Sequence, residues 1–203
     1  MKNYFVKKTE NDGRFPDNQQ WQEIDPLHID CFMWECENKP ETTVKLLYSE
    51  DALFLCFVTD ERPLIAEEVR ENGDVFADSC MEFFLQPDKD DARYFNFEIN
   101  PLGTLHLGLG ASRANRILLA GKKNSLELVS CITTDKWILQ YRIPFSLLLE
   151  YVNNISPVIR ANFYKCNEHP GHVHFASWNK IENDTPDFHR PEYFGNIVLE
   201  NRQ

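Results

Sequence analysis

The sequence lacks the paired cysteines of a metal-binding or redox motif. It has six cysteines in 203 residues, and no two of them form a Cys-x-x-Cys pair. Zinc knuckles and thioredoxin-like sites depend on that spacing, so the sequence argues against both. Most of the cysteines lie in apolar runs, where a free thiol behaves as a small hydrophobic side chain.

Long apolar runs are also missing. The N-terminal stretch MKNYFVKKTENDGRF has no apolar segment long enough for a signal peptide, and no later segment approaches the length of a membrane span. We therefore expect a cytoplasmic protein with reduced thiols, or a secreted one if a leader has been removed.

Positive charge is scarce. The chain has 21 lysines and arginines against 32 acidic residues, which gives a formal net charge of −11. Nucleic-acid backbones and anionic membrane surfaces attract clustered basic side chains, so we expect neither as a partner. Neutral ligands are compatible with this charge, and the oligomeric state is left open.

Motifs for catalysis are absent or incomplete. There is no G-x-S-x-G motif, and Ser177, Asp187 and His189 lie too close in the sequence to suggest a hydrolase triad. Glu82 and Glu98 on adjacent predicted strands could form a glycosidase pair, whose carboxyl groups lie about 5–10 Å apart. Nothing marks either residue as lying in an apolar pocket. We expect no catalysis and keep a glycoside-processing or metal-dependent hydrolase as an alternative.

What the sequence does contain is a series of short strand-like segments. About ten such segments, punctuated by turns, indicate a β-sandwich. One short helix is predicted over 146–152, with Ser146 as its cap. We predict an all-β fold: a single-domain antiparallel β-sandwich, immunoglobulin-like or jelly-roll-like, over residues 1–203. Residues 1–42 would form an N-terminal arm packed on it, with at most one short edge strand.

The segment 75–100 predicts a hairpin with two different faces. Side chains alternate sides along a strand. The odd positions of the two runs, 75–85 and 94–100, are mostly apolar and predict the buried face. The even positions carry carboxylates, an amide and aromatic rings, a combination that suits the hydroxyl groups and apolar face of a sugar. The alternative is an ordinary solvated sheet face.

The order of segments resembles the family 9 carbohydrate-binding modules, especially the family-9-like domains of bacterial glycan-handling proteins. The matching segments cover most of residues 43–200 and are ALFLCFVTDERP, DVFADSCMEFFLQP, YFNFEINPLGT, WILQYRIPFSLL, IRANFYKC and HFASWNKIENDTPDFHRPEYFGNIVL. The resemblance implies a β-sandwich that binds a sugar or oligosaccharide, accessory to glycan breakdown or sensing, with no catalytic machinery. A structural or partner-binding domain with a decayed sugar site is a further alternative.

The resemblance also implies which residues hold the sugar. In the family an aromatic pair sandwiches a terminal sugar; Phe76 stands at the first aromatic position and Trp178 at the second. Glu82 matches a glutamate six residues after the first aromatic residue. With Asp78 and Asn96 of the polar hairpin face, the predicted ligand-binding residues are Phe76, Asp78, Glu82, Asn96, Asn162, Lys165 and Trp178. The chain departs from the family pattern where Phe76 replaces tryptophan, Ser79 an acidic residue and Gln140 a glutamate.

Strand geometry sets a condition on this site. Phe76 and Glu82 would lie about 20 Å apart on one straight strand. Both can reach one sugar only if the strand bends near residues 78–79, or if Phe76 lies in the loop before the strand. The alternative for Trp178 is a core tryptophan, and the alternative for Glu82 is an ion pair with Lys165 or Arg160.

No metal or cofactor is predicted. His172 and His174 have a spacing that can bind zinc or copper, but no nearby ligand completes the set. The aspartates at 88, 90 and 91 could hold a structural calcium ion through their oxygen atoms. Their spacing is not that of an EF-hand, so a solvated turn is the expectation.

Overall fold

The computed structural model describes residues 1–10 and 14–202, and in these residues the chain is mostly β-strand. Its fourteen strands are β1 (Asn3–Lys8), β2 (Leu27–His28), β3 (Cys31–Met33), β4 (Thr42–Tyr48), β5 (Ala52–Thr59), β6 (Cys80–Gln86), β7 (Tyr94–Ile99), β8 (Leu105–Gly110), β9 (Ile117–Leu118), β10 (Val129–Ile132), β11 (Trp137–Pro144), β12 (Val158–Asn167), β13 (His174–Ser177) and β14 (Gly195–Leu199). The described residues also form two short α-helices, α1 (Asn18–Gln22) and α2 (Phe145–Leu149), and three 3₁₀ turns, Val75–Ala77, Lys123–Leu126 and Pro191–Tyr193.

The strands form two sheets that pack as a β-sandwich, which confirms the predicted fold class. One sheet, here the β5 sheet, has the order β10-β11-β5-β4, with β2 against β4. The other, the β6 sheet, has the order β14-β12-β6-β7-β8-β9, with β13 against β12 and β3 against β13.

Strand β1 joins the two sheets. Its first residues pair with β14, from Asn3 opposite Asn196 to Val6 opposite Leu199, and Lys7 and Lys8 pair with β4. Both pairings are parallel, so the prediction of a purely antiparallel sandwich is wrong at this strand. The long connection between β1 and β4 makes this pairing accessible, because parallel strands need a connection of about a dozen residues or more. The predicted arm thus contributes an interior strand, β1, as well as the short strands β2 and β3, which each pair on one side only. Its residues 11–13 lie outside the described part of the chain.

The core lies between the sheets and is rich in aromatic rings. The odd-numbered residues of β6 and β7 face inward, as the alternation predicts. Phe83 stacks on Phe163 with a centroid separation of 4.6 Å, and Phe163 meets Phe57 of the opposite sheet at 6.0 Å. Burying each such ring contributes about 1.5–3 kcal/mol to folding, so this face fixes the register of the hairpin.

Both helices lie next to the sheets, and both differ from the sequence prediction. Helix α1 was not predicted; it begins with a capping box, in which the Asp17 carboxylate accepts from the Gln20 amide and the Gln20 side chain accepts from the Asp17 amide. It carries Trp21 onto the outer face of the β5 sheet, where the indole packs against Phe54 and its neighbours. Helix α2 begins at Phe145, and Pro144 occupies the cap position, so the predicted Ser146 cap is wrong. Neither helix, and no other helix of the described chain, is long and apolar enough to cross a membrane.

Candidate functional site

A cavity of about 290 Å³ opens on the outer face of the β6 sheet. Its floor consists of even-numbered strand residues that point away from the core: Glu82 and Phe84 of β6, Asn96 and Glu98 of β7, and Cys166 of β12. Its walls come mainly from connections: the turn before β6, the 111–116 loop and the 186–189 loop. The face predicted to carry carboxylates, an amide and rings is therefore the floor of a cavity, not a solvated sheet surface.

Phe76 lies at the entry to the floor. It belongs to a short 3₁₀ turn, Val75–Ala77, and strand β6 starts only at Cys80. The predicted strand over 75–85 is therefore too long at its N-terminal end. Strand geometry allowed Phe76 and Glu82 to reach one sugar if Phe76 lies before the strand. This is where Phe76 lies, and both residues line the same cavity.

The two floor carboxyl groups face each other across neighbouring strands. Glu82 and Glu98 are directly opposite in the β6–β7 register, and only 2% and 4% of their surfaces are exposed. Burial raises the pKa of Glu82 well above its usual value, and the nearby Cys166 and Glu98 add to the shift. Burial also raises the pKa of Glu98. A carboxyl group that keeps its proton can donate one hydrogen bond and still accept others.

A hydrogen-bonded chain fixes the amide of Asn96 between a cation and a carboxyl group. The Asn96 side-chain nitrogen donates to Glu98 Oε1 at 2.7 Å, and Arg116 Nη2 donates to Asn96 Oδ1 at 2.6 Å. The guanidinium also lies 4.4 Å from the centroid of the Tyr94 ring. Gly108 makes room for this arrangement, since a Cβ there would lie 2.7 Å from Asn96 Oδ1.

Aromatic rings form much of the wall. Phe76 and Phe188 are half-buried and line the cavity. Phe188 stacks on Tyr164 with a centroid separation of 4.2 Å, so the ring is held from behind. His189 shares a hydrogen bond of 2.9 Å with the Tyr94 hydroxyl. Burial, with the nearby arginines, lowers the pKa of His189 to about 3, so its ring is neutral at physiological pH.

Three of the seven predicted ligand-binding residues line the cavity: Phe76, Glu82 and Asn96. The other four, Asp78, Asn162, Lys165 and Trp178, are buried elsewhere in the structure. The structure gives the position of each of these seven residues. That any of them contacts a sugar stays a prediction.

Asp78 and Asn162 hold backbone segments in place. The Asp78 carboxylate accepts from the amides of Glu67 and Glu68 at 3.0–3.1 Å, and from the Asn100 side chain. Asn162 accepts from the Asn179 amide at 2.9 Å and donates to the Asn179 carbonyl at 3.0 Å. Both side chains therefore form their hydrogen bonds with loops that connect strands.

Lys165 and Trp178 lie in the interior. The Lys165 ammonium pairs with Glu61 at 2.7 Å, and both side chains are fully buried. Lys165 therefore does not pair with Glu82, which instead accepts from the Cys166 thiol at 3.0 Å. Trp178 is 3% exposed and packs edge-on against Phe163, with a centroid separation of 5.7 Å, in the core between the sheets.

Several lining residues were missed from the sequence, chiefly Arg116, Phe175, Phe188 and His189. Phe188 and His189 belong to an irregular loop, where no periodic pattern exists to assign a face. The available signal was their position in the proline-flanked segment TPDFHRP, since exposed loops often carry binding residues.

Comparison with known proteins identifies the family. Residues 15–199 match the family model described as carbohydrate-binding family 9. The chain belongs to carbohydrate-binding family 9. This confirms the resemblance predicted from the sequence, and family membership assigns the chain a non-catalytic carbohydrate-binding function. No curated protein matches it.

Solved structures share the fold of this family 9 chain. A candidate carbohydrate-binding protein from Bacteroides uniformis ATCC 8492 is 27% identical with a TM-score of 0.87, over 98% of this chain and 99% of that chain. A family 9 module from Caldicellulosiruptor kristjanssonii in complex with glucose is 14% identical with a TM-score of 0.69, over 100% of this chain and 97% of that chain. The complex of a family 9 module from the same organism with cellotriose gives the same identity and TM-score, over 95% of that chain.

Proposed function

We propose that the cavity on the β6 sheet binds one sugar unit at the end of an oligosaccharide. The observation that carries this proposal is the convergence of aromatic rings and buried polar groups on one small cavity. Its volume of about 290 Å³ is at the lower end of the range for ligand pockets, as a single sugar unit requires. The glucose and cellotriose complexes of the Caldicellulosiruptor modules support this choice of ligand.

The lining offers both halves of sugar recognition. Phe76 and Phe188 present ring surface for the apolar C–H face of a pyranose. Glu82, Glu98 and Arg116 offer donors and acceptors for the hydroxyl groups, and the protonated form of Glu82 can do both. Because these groups are held by the sheet and by each other, binding would require little reorganisation.

A second, open groove of about 630 Å³ continues from the cavity. It shares Arg113, Glu168, Phe175 and Pro186 with the cavity, and Trp34 also lines it. We assign the groove to the sugar units that follow the bound end. The chain would then hold oligosaccharides in a role accessory to glycan breakdown or sensing, without cleaving them.

Calorimetry with glucose, cellotriose and the hits of a broad glycan array tests the proposal. We expect Phe76→Ala and Phe188→Ala each to weaken binding at least tenfold, because each removes ring surface from the cavity. Phe5→Ala is the matched control, since Phe5 is 60% exposed on β1, away from the cavity, and its removal should leave affinity unchanged. The proposal fails if the wild type binds nothing on the array, or if both cavity variants bind like the wild type.

A further inference from the structure

Two thiols and a carboxyl group meet at the floor of the cavity. Cys80 and Cys166 are directly opposite each other on the antiparallel strands β6 and β12. Glu82 lies two residues after Cys80, so its side chain is on the same face of β6. The two sulfur atoms and a Glu82 oxygen all lie within 4.8 Å of one another. A zinc ion with Zn–S bonds of about 2.3 Å separates two tetrahedral sulfur ligands by about 3.8 Å, which this cluster accommodates.

We propose that Cys80, Cys166 and Glu82 form a binding site for a thiophilic divalent cation, with Zn²⁺ as the biological candidate. Thiolates favour zinc and its heavier relatives over magnesium or calcium, which take oxygen ligands. Two sulfur atoms and one carboxylate oxygen leave one position of a tetrahedral zinc site for a water molecule or another oxygen ligand. This site is separate from the metal sites weighed in the sequence, namely His172–His174 and the aspartates at 88–91.

The cavity gives an ion access to the cluster. Cys166 and Glu82 line the cavity, whereas Cys80 lies behind them and is fully buried. The thiols are free in the structure, and the Cys166 thiol donates to Glu82. Thiols bind metal ions as thiolates, so ion binding releases their protons to the solvent.

A cadmium titration of the reduced, metal-free full chain tests the proposal without any sugar. Cd²⁺ is the probe because its bonds to thiolates absorb in the ultraviolet. We expect one equivalent to produce this band and Zn²⁺ to compete it away. Cys80→Ser and Cys166→Ser should each weaken binding at least tenfold. Cys131→Ser is the control, because Cys131 is exposed on β10 and distant in the sheet order from β6.

Alkylation mapping keeps the test independent of variant folding. Peptide mass spectrometry of the wild type should show that one equivalent of Zn²⁺ slows the alkylation of Cys166, which lines the cavity, while the exposed Cys131 stays reactive. The proposal is overturned if no cadmium band forms, if Zn²⁺ protects other cysteines and not Cys166, or if Cys80 and Cys166 stay joined in a disulfide after treatment with a reducing agent. None of these results depends on sugar binding, so the two proposals can fail separately.

Discussion

Glu82 is a carboxyl group in a position where ionisation is costly. Its neighbours include another carboxyl group and a thiol, and it makes no ion pair with any described residue. The raised pKa of Glu82 means that the folded state holds this proton more tightly than the unfolded chain does. The stabilising effect is fully present below the ordinary glutamate pKa of about 4.3 and is lost as pH rises towards the raised value.

Replacing Glu82 with glutamine should therefore change how stability depends on pH. Glutamine has nearly the shape of the neutral carboxyl group but cannot ionise. We expect the free energy of unfolding of Glu82→Gln, relative to the wild type, to rise with pH above the ordinary glutamate pKa, by up to about 1.4 kcal/mol per pH unit, until the pH reaches the raised pKa of Glu82. Urea unfolding at several pH values measures it, with the exposed Glu23→Gln as the control. A difference between variant and wild type that does not change with pH would contradict the prediction.

Trp178 is expected to act on stability and not directly on the sugar. Its indole is buried among core residues of both sheets, and replacing a buried aromatic residue with alanine typically costs about 3–5 kcal/mol. We expect Trp178→Ala to lower the urea midpoint strongly, and Trp178→Phe to keep the fold and most of the sugar affinity. If Trp178→Ala instead melts like the wild type and has lost sugar binding, the indole reaches the ligand and the assignment is wrong.

At the level of the elements, the sequence predicted the β6–β7 hairpin and both of its faces. The alternation of apolar and polar residues was enough to assign the faces there, because one side of each strand is uniformly apolar, as Phe95 and Phe97 illustrate. The position of Trp178 could not be obtained in this way. It follows β13 directly, and whether its ring points inward depends on the pairing of β13 with β12, which no local pattern encodes. The parallel pairing of β1 depends in the same way on contacts between residues distant in the sequence.

Strand β12 is tied to the turn after β5 by a buried ion pair. The Lys165 ammonium lies 2.7 Å from Glu61, which also accepts from Ser79 and Asn167 at 3.0 and 2.9 Å. Burial acts to raise the pKa of Glu61, but Lys165 and Asn167 outweigh it and hold the pKa below its usual value. The carboxylate is thus stable in the interior only while these partners are in place.

Removing the lysine should destabilise the protein by much more than removing a surface charge. We expect Lys165→Met to cost about 3–5 kcal/mol, since it leaves a buried carboxylate without its cation. The double variant Glu61→Gln/Lys165→Met should recover part of this loss. Lys180→Met is the control, because Lys180 and Glu182 form an exposed pair 3.6 Å apart, worth at most about 1 kcal/mol. Chemical denaturation measures all three; equal costs for the two lysine variants would refute the argument.

In the molecule as a whole, β1 holds the two sheets together along one side. It supplies the neighbouring strand for both β14 and β4, and it places the fully buried Val6 in the core. Without it, both strands would expose unpaired backbone groups, which favour association between molecules.

Deleting residues 1–8 should therefore affect stability and association together. We expect the free energy of unfolding to fall by at least about 2 kcal/mol, because the deletion removes both the buried Val6 side chain and the backbone hydrogen bonds of β1. We also expect a shift to larger species in size-exclusion chromatography. Phe5→Ala keeps the backbone of β1 and removes an exposed side chain, so it should behave like the wild type. A truncated chain that is as stable and as monodisperse as the parent would show that β1 is dispensable.

The cavity divides into a part made of strands and a part made of connections, and the two parts tolerate change differently. Glu82, Asn96 and Glu98 belong to paired strands, whereas the 111–116 and 186–189 segments lie outside the described strands, so they should tolerate substitution better as long as Arg116 is kept to hold Asn96. A combinatorial library confined to those two segments should yield proteins with new ligand preferences on an unaltered framework. By the same reasoning, we expect homologues of this chain to differ in the ligands that they bind while they keep the same strands.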